Sequence, residues 1–225
     1  MKINKNTAVI CITVAVCCIA MGIVDAVIQP VYTVKSGVKL LLFLICPILY
    51  ARLSGNKTVK NIFKPGKSAL LTALAICIPL YALIVGGYFL LRGVFDFSNI
   101  TSALTGNIGV NKQNFVFVAL YISFINSLLE EFFFRGFAFL TLKKHAGRAF
   151  AHIFSALAFA LYHIAMMTGW FSIWLYMLII AGLFAGGVIF NLLNERTGNI
   201  YTSWFVHMSA NFAINTVGFI LFGII

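Results

Sequence analysis

The stretch FVFVALYISFINSLLEEFFFRGFAFLTL, residues 115–142, decides the fold. It exceeds the roughly 20 apolar residues with which an α-helix crosses a hydrocarbon core of about 30 Å. Yet it carries Glu130, Glu131 and Arg135. A charged side chain at that depth costs roughly 2.5–3.5 kcal/mol on insertion scales. The chain has only five acidic residues to place, and two of them stand side by side here. Intramembrane ionisable residues mark functional sites by default. The stretch therefore predicts a transmembrane helix with a site inside the membrane.

Similar apolar runs lie on either side. The 225 residues are 62% hydrophobic and 9% charged, against about 25% charged in an ordinary soluble domain. The expected fold class is all-α, a polytopic transmembrane helix bundle. Seven spans are expected at about 8–28, 38–54, 68–91, 115–142, 149–168, 172–194 and 200–224. The N-terminal run is too long for a signal-peptide core and no small-residue cleavage site ends it, so it reads as the first span. The chain divides into residues 1–114, with three generic spans and a polar loop, and residues 115–225, with the chemistry-bearing spans four to seven.

The net charge of +11 orients loops rather than binding nucleic acid, because the basic residues sit between spans. With the N-terminus in the cytoplasm, Lys2, Lys5, Arg52, Lys57, Lys60, Lys64, Lys67, Lys143, Lys144, Arg148 and Arg196 fall inside. Lys35, Lys39, Arg92 and Lys112 fall outside. The 52–67 connection, with Gly55, Pro65 and Gly66, is expected to be a basic cytoplasmic connector near anionic lipid. The polar connection at about 92–114 is expected outside, and its Asn99-Ile100-Thr101 sequon is a weak signal. Cys11, Cys17, Cys18, Cys46 and Cys77 lack ligand spacing and read as small apolar side chains.

Three spans, the fourth among them, bring polar residues. Glu131 and Arg135 are four apart and share a helical face, so they can pair. Glu130 has Phe134 at its own i+4 position and so no cation there. A carboxylate held beside another one in an apolar setting suits general base work. His163 follows Phe159 by one turn on the fifth span. His207 and Asn211 share a face of the seventh, where two donors can stabilise an oxyanion or simply bond two helices together. Two histidines and a glutamate are also a catalytic zinc set. These residues point to hydrolysis within the membrane, with or without a metal. His152 lies about three turns before His163 and roughly on its face. His145 reads as solvated, Asp25 as a helix contact, and Glu195-Arg196 as a solvated loop pair. Soluble-hydrolase, zincin and nucleotide-binding motifs are absent.

The order Glu130-Glu131-x-x-x-Arg135, Phe159-x-x-x-His163, His207-x-x-x-Asn211 resembles the CPBP family. These are the CAAX-protease and bacteriocin-processing intramembrane proteases, also called Abi or type II CAAX endopeptidase-like. The resemblance covers about residues 130–211. It implies that Glu130 and His163 activate water, that His207 and Asn211 form the oxyanion site, and that Glu131, Arg135 and Phe159 support them. It implies a peptide or protein substrate, a place in the lipid bilayer and, if a metal is used, zinc on His163 and His207. The short chain and lysine-rich loops suggest a bacterial plasma membrane, with peptide processing or self-immunity as the role. Two rivals remain: a non-proteolytic immunity or regulatory protein of the same fold, and a small transporter. The transporter reading lacks support from inverted repeats or paired broken helices.

Overall fold

The computed structural model describes residues 4–56, 58–64, 68–167 and 169–225. Lys2, Lys57, Pro65, Gly66 and Lys67 lie outside the described residues. Among the described residues the regular structure is helical, and seven helices are long and apolar enough to cross a membrane. The spans are Lys5–Ile28, Tyr32–Ser54, Leu71–Leu91, Phe115–Lys144, Arg148–Met166, Ile173–Thr197 and Tyr201–Leu221.

The fourth span is the hub. Every residue from Glu131 to Thr141 is buried, so this half of the helix has no lipid face. It packs against the first, second, fifth, sixth and seventh spans. Phe43 of the second span stacks on Phe133 at 4.0 Å and meets Phe134 edge-on at 5.5 Å. The third span docks mainly on the seventh and the sixth on the fifth. The outer faces are apolar, with Ile12, Leu49, Leu71, Leu83, Phe117 and Trp174 exposed. An apolar surface of this kind fits lipid rather than water.

The fourth span is not a uniform α-helix. It widens to π geometry at Ile122–Asn126 and again at Glu131–Thr141. Such segments interrupt the i→i−4 ladder and are frequent at functional sites. Polar side chains of the seventh span bond to backbone carbonyls along and beside the first π segment. Asn211 Nδ2 donates to Ile122 O (3.2 Å), Asn215 Nδ2 to Ala119 O (3.1 Å) and Trp204 Nε1 to Phe124 O (3.2 Å). Interhelical bonds of this type average about 0.6 kcal/mol in membranes, so the set matters more than any member.

The structure corrects some of these expectations and adds detail to others. The second span begins at Tyr32, so Lys35 and Lys39 lie within it rather than in an outer loop. The 92–114 connection contains an 11-residue helix, Ser98–Ile108. Asp96 starts it by accepting the Ser98 N–H at 2.8 Å, which holds its carboxyl below the usual range. Part of the 52–67 connection packs on the bundle: Thr58, Val59 and Ile62 are buried, and Ile62 O accepts the Ile200 N–H at 3.2 Å. Glu195 lies on the sixth span and binds Lys143, Arg148 and His152, not Arg196. His152 therefore belongs to that cluster rather than to the His163 face. His145 is partly buried, and its carbonyl accepts from Thr7. Asp25 makes a helix contact, with Lys35 at 2.6 Å.

Candidate active site

Glu130 closes the α-helical part of the fourth span and Glu131 opens its long π segment. Both are buried, at 2% and 0% exposure. Their neighbours differ. Glu131 Oε1 meets His207 Nδ1 at 2.9 Å, and Glu131 Oε2 accepts from Ser203 Oγ. Both partners come from the seventh span, one turn apart. Arg135 Nε lies 3.5 Å from Glu131 Oε2, the expected i,i+4 pair.

Arg135 is fully buried, and among the described residues none of its three nitrogens has a hydrogen-bond partner. Its charge is balanced by Glu131 and by ring faces. The guanidinium lies 4.0 Å from the Phe159 centroid and 5.0 Å from that of Phe190. A desolvated cation over an aromatic face gains about 2 kcal/mol or more.

Glu130 faces the other way. Its Oε1 accepts from Asn126 Nδ2 at 3.0 Å and from the Lys39 ammonium of the second span. Its Oε2 lies 3.6 Å from His207 Nε2. This cation comes from another helix, so the i+4 position of Glu130, Phe134, gives no sign of it. His207 thus stands between the two carboxylates, one at each ring nitrogen.

His163 is buried on the fifth span, and its Nδ1 donates to Phe159 O at 2.7 Å. A carbonyl only accepts, so Nδ1 carries a proton and Nε2 is left for the site. The Phe159 ring stands edge-on to both histidines, 4.7 Å from His163 and 5.9 Å from His207. His163 lies within electrostatic reach of Glu130, though among the described residues the two share no hydrogen bond. Asn211 is one turn beyond His207 and bonds through one amide N–H to Ile122 O.

Six of the seven singled-out residues thus form one contiguous cluster: Glu130, Glu131, Arg135, Phe159, His163 and His207. Asn211 borders it. Lys39, Asn126 and Ser203 belong to the cluster and were not anticipated. The available signal was the i,i+4 spacing of Lys35 and Lys39, which puts two lysines on one face of an apolar helix.

Residues 112–213 match the family model of the Rce1-like type II CAAX prenyl endopeptidases. That match agrees with the resemblance read from the three motifs. The Rce1-like segment holds all seven motif residues and leaves Lys39 outside. No curated protein and no solved structure matches the chain.

The zinc reading can be tested on the donors. Among the described residues no three or more His, Cys, Asp or Glu side chains are grouped to hold a metal ion. Both nitrogens of His207 face carboxylates, and one Glu130 oxygen is bonded to an ammonium. The residues in this arrangement do not fit zinc.

Proposed function

We propose that the chain is an intramembrane endopeptidase of the CAAX type, in which Glu130 and His163 activate water while His207 and Asn211 hold the oxyanion. The observation that carries this is the meeting of Glu130 and His207, 3.6 Å apart and from different spans, within the Rce1-like segment. His163 lies beyond a single phenyl ring.

The chemistry follows from the free atoms. Water between Glu130 Oε2 and His163 Nε2 gives one proton to the carboxylate and a hydrogen bond to the imidazole. Its oxygen attacks the scissile carbonyl carbon. His207 donates Nδ1–H to Glu131 and turns Nε2 toward the developing oxyanion, to which it donates when that nitrogen carries a proton. Asn211 spends one amide N–H on Ile122 O and keeps the other for the same oxyanion. Collapse breaks the C–N bond, and the proton on Glu130 passes to the leaving amine. Placed donors in a water-poor site are worth about 10²–10³ in rate each. Glu131 and Arg135 hold His207 in place. The substrate is a membrane-associated peptide. The activity in the family name makes a prenylated C-terminal peptide the first candidate and a short processed leader peptide the second.

The test is purified protein in detergent with quenched fluorescent peptides of both kinds, with and without a chelator. Wild type should cleave, and Glu130→Ala should lose at least about 10²-fold of that activity while still inserting in the membrane. Cleavage retained by Glu130→Ala would sink the assignment. Loss on chelation would overturn the metal-free water step.

A further inference from the structure

Lys39 lies outside the Rce1-like segment, on a span that composition alone marks as generic. Its side chain is 6% exposed and enclosed on four sides. The ammonium donates to Glu130 Oε1 and to Asn126 Oδ1 at 2.6 Å. It also lies 4.9 Å from the Tyr162 centroid and 5.5 Å from that of Phe43. Asn126 completes a ring of contacts, since its own amide donates to the same Glu130 oxygen at 3.0 Å. One carboxylate oxygen is therefore fixed twice. The other, Oε2, makes no hydrogen bond among the described residues and points to His207 Nε2 at 3.6 Å.

The asymmetry has a use. A glutamate side chain turning freely about its last bond presents either oxygen to the site. With Oε1 anchored by an ammonium and an amide, only Oε2 faces His207, and it keeps one orientation. Lys35, one turn earlier, does not compete for Glu130 because Asp25 holds it at 2.6 Å. From this geometry we infer that Lys39, with Asn126, is a positioning residue that clamps one oxygen of Glu130 and so aims the other at the water. The inference rests on the protease function proposed above. It sets the second span to work on the reaction although its sequence carries none of the three motifs. The opposite sense, an ammonium that blocks Glu130 until substrate removes it, predicts faster cleavage once Lys39 is lost.

The experiment compares wild type, Glu130→Gln, Lys39→Gln, Lys39→Arg and Asn126→Ala in the peptide cleavage assay, with detergent thermal unfolding of each. Misaiming a reacting group by about 1 Å costs roughly 10²-fold. Lys39→Gln should therefore lose about 100-fold in kcat with KM within about threefold. Lys39→Arg keeps a cationic donor and should recover to within about tenfold of wild type. Asn126→Ala leaves the ion pair in place and should lose about tenfold, the worth of one hydrogen bond to a charged group. If Lys39→Gln fails to fold, the other two variants decide. Wild-type kcat in Asn126→Ala and Lys39→Gln, a gain in either, or a loss carried by KM alone overturns the inference while the protease function stands. Failure of wild type to cleave, or full activity in Glu130→Gln, overturns the protease function and the inference with it.

Discussion

Glu131 and Arg135 show how one buried pair serves packing and chemistry at once. Each is 0% exposed, and Glu131 also holds His207 Nδ1 at 2.9 Å. Removing one partner of a buried pair leaves an uncompensated charge and costs about 3–5 kcal/mol, whereas replacing both with apolar residues is often neutral or stabilising. Glu131→Leu alone should therefore lower the unfolding temperature in detergent sharply, because Arg135 has no other carboxylate at this distance among the described residues. The double variant Glu131→Leu/Arg135→Met should recover most of that stability. It should not recover peptide cleavage, because His207 has lost the acceptor that orients it. Thermal unfolding and cleavage, measured on the same preparations, separate the two roles. A double variant that is stable and fully active would remove Glu131 from the site.

Helix against helix, small residues set the distances. A side chain added at Gly187 of the sixth span would meet the Ala156 backbone of the fifth at 3.0 Å. Close backbone approach through small residues is how membrane helices pack without a hydrophobic driving force. Gly187→Val should force the two spans apart and lower the detergent unfolding temperature. The site should suffer too, since the fifth span carries Phe159 and His163. Unchanged unfolding would show that this contact is not part of the packing. None of this is visible in the one-dimensional pattern. Apolar runs of about twenty residues made the seven spans readable, because crossing a bilayer imposes that length. The three motifs were readable because charges in such runs are rare. Lys39 was not: a lysine at the mouth of an apolar run reads equally well as a loop anchor, and only the tertiary fold shows Glu130 beside it. The π segments were hidden because a widened turn leaves the apolar content of the run unchanged. The Ser98–Ile108 helix was hidden because its polar residues match a loop composition.

For the whole molecule, the ends of the bundle differ in charge, and the difference is larger than the sequence suggested. Thr7 bonds to His145 O, Ile62 to Ile200, and Lys143 to Glu195. The chain start, residues 58–64, the 143–148 turn and the 195–200 turn therefore share one end. Lys5, Arg52, Lys64, Lys144, Arg148 and Arg196 are exposed there. The other end exposes Arg92 and Lys112, while Lys35 and Lys39 are engaged with Asp25 and Glu130 inside the bundle. Those two lysines no longer count as loop charges, so the bias on which orientation depends is stronger. The basic end should face the cytoplasm, with the N-terminus inside and the C-terminus outside. Single cysteines placed in a background lacking Cys11, Cys17, Cys18, Cys46 and Cys77 test this directly. An impermeant maleimide added to intact cells should label Asn99→Cys on the loop helix and leave Lys144→Cys unlabelled until the cells are opened. The reverse pattern would invert the topology. It would also place the Glu195 cluster, and the turns it ties together, on the outer face of the membrane.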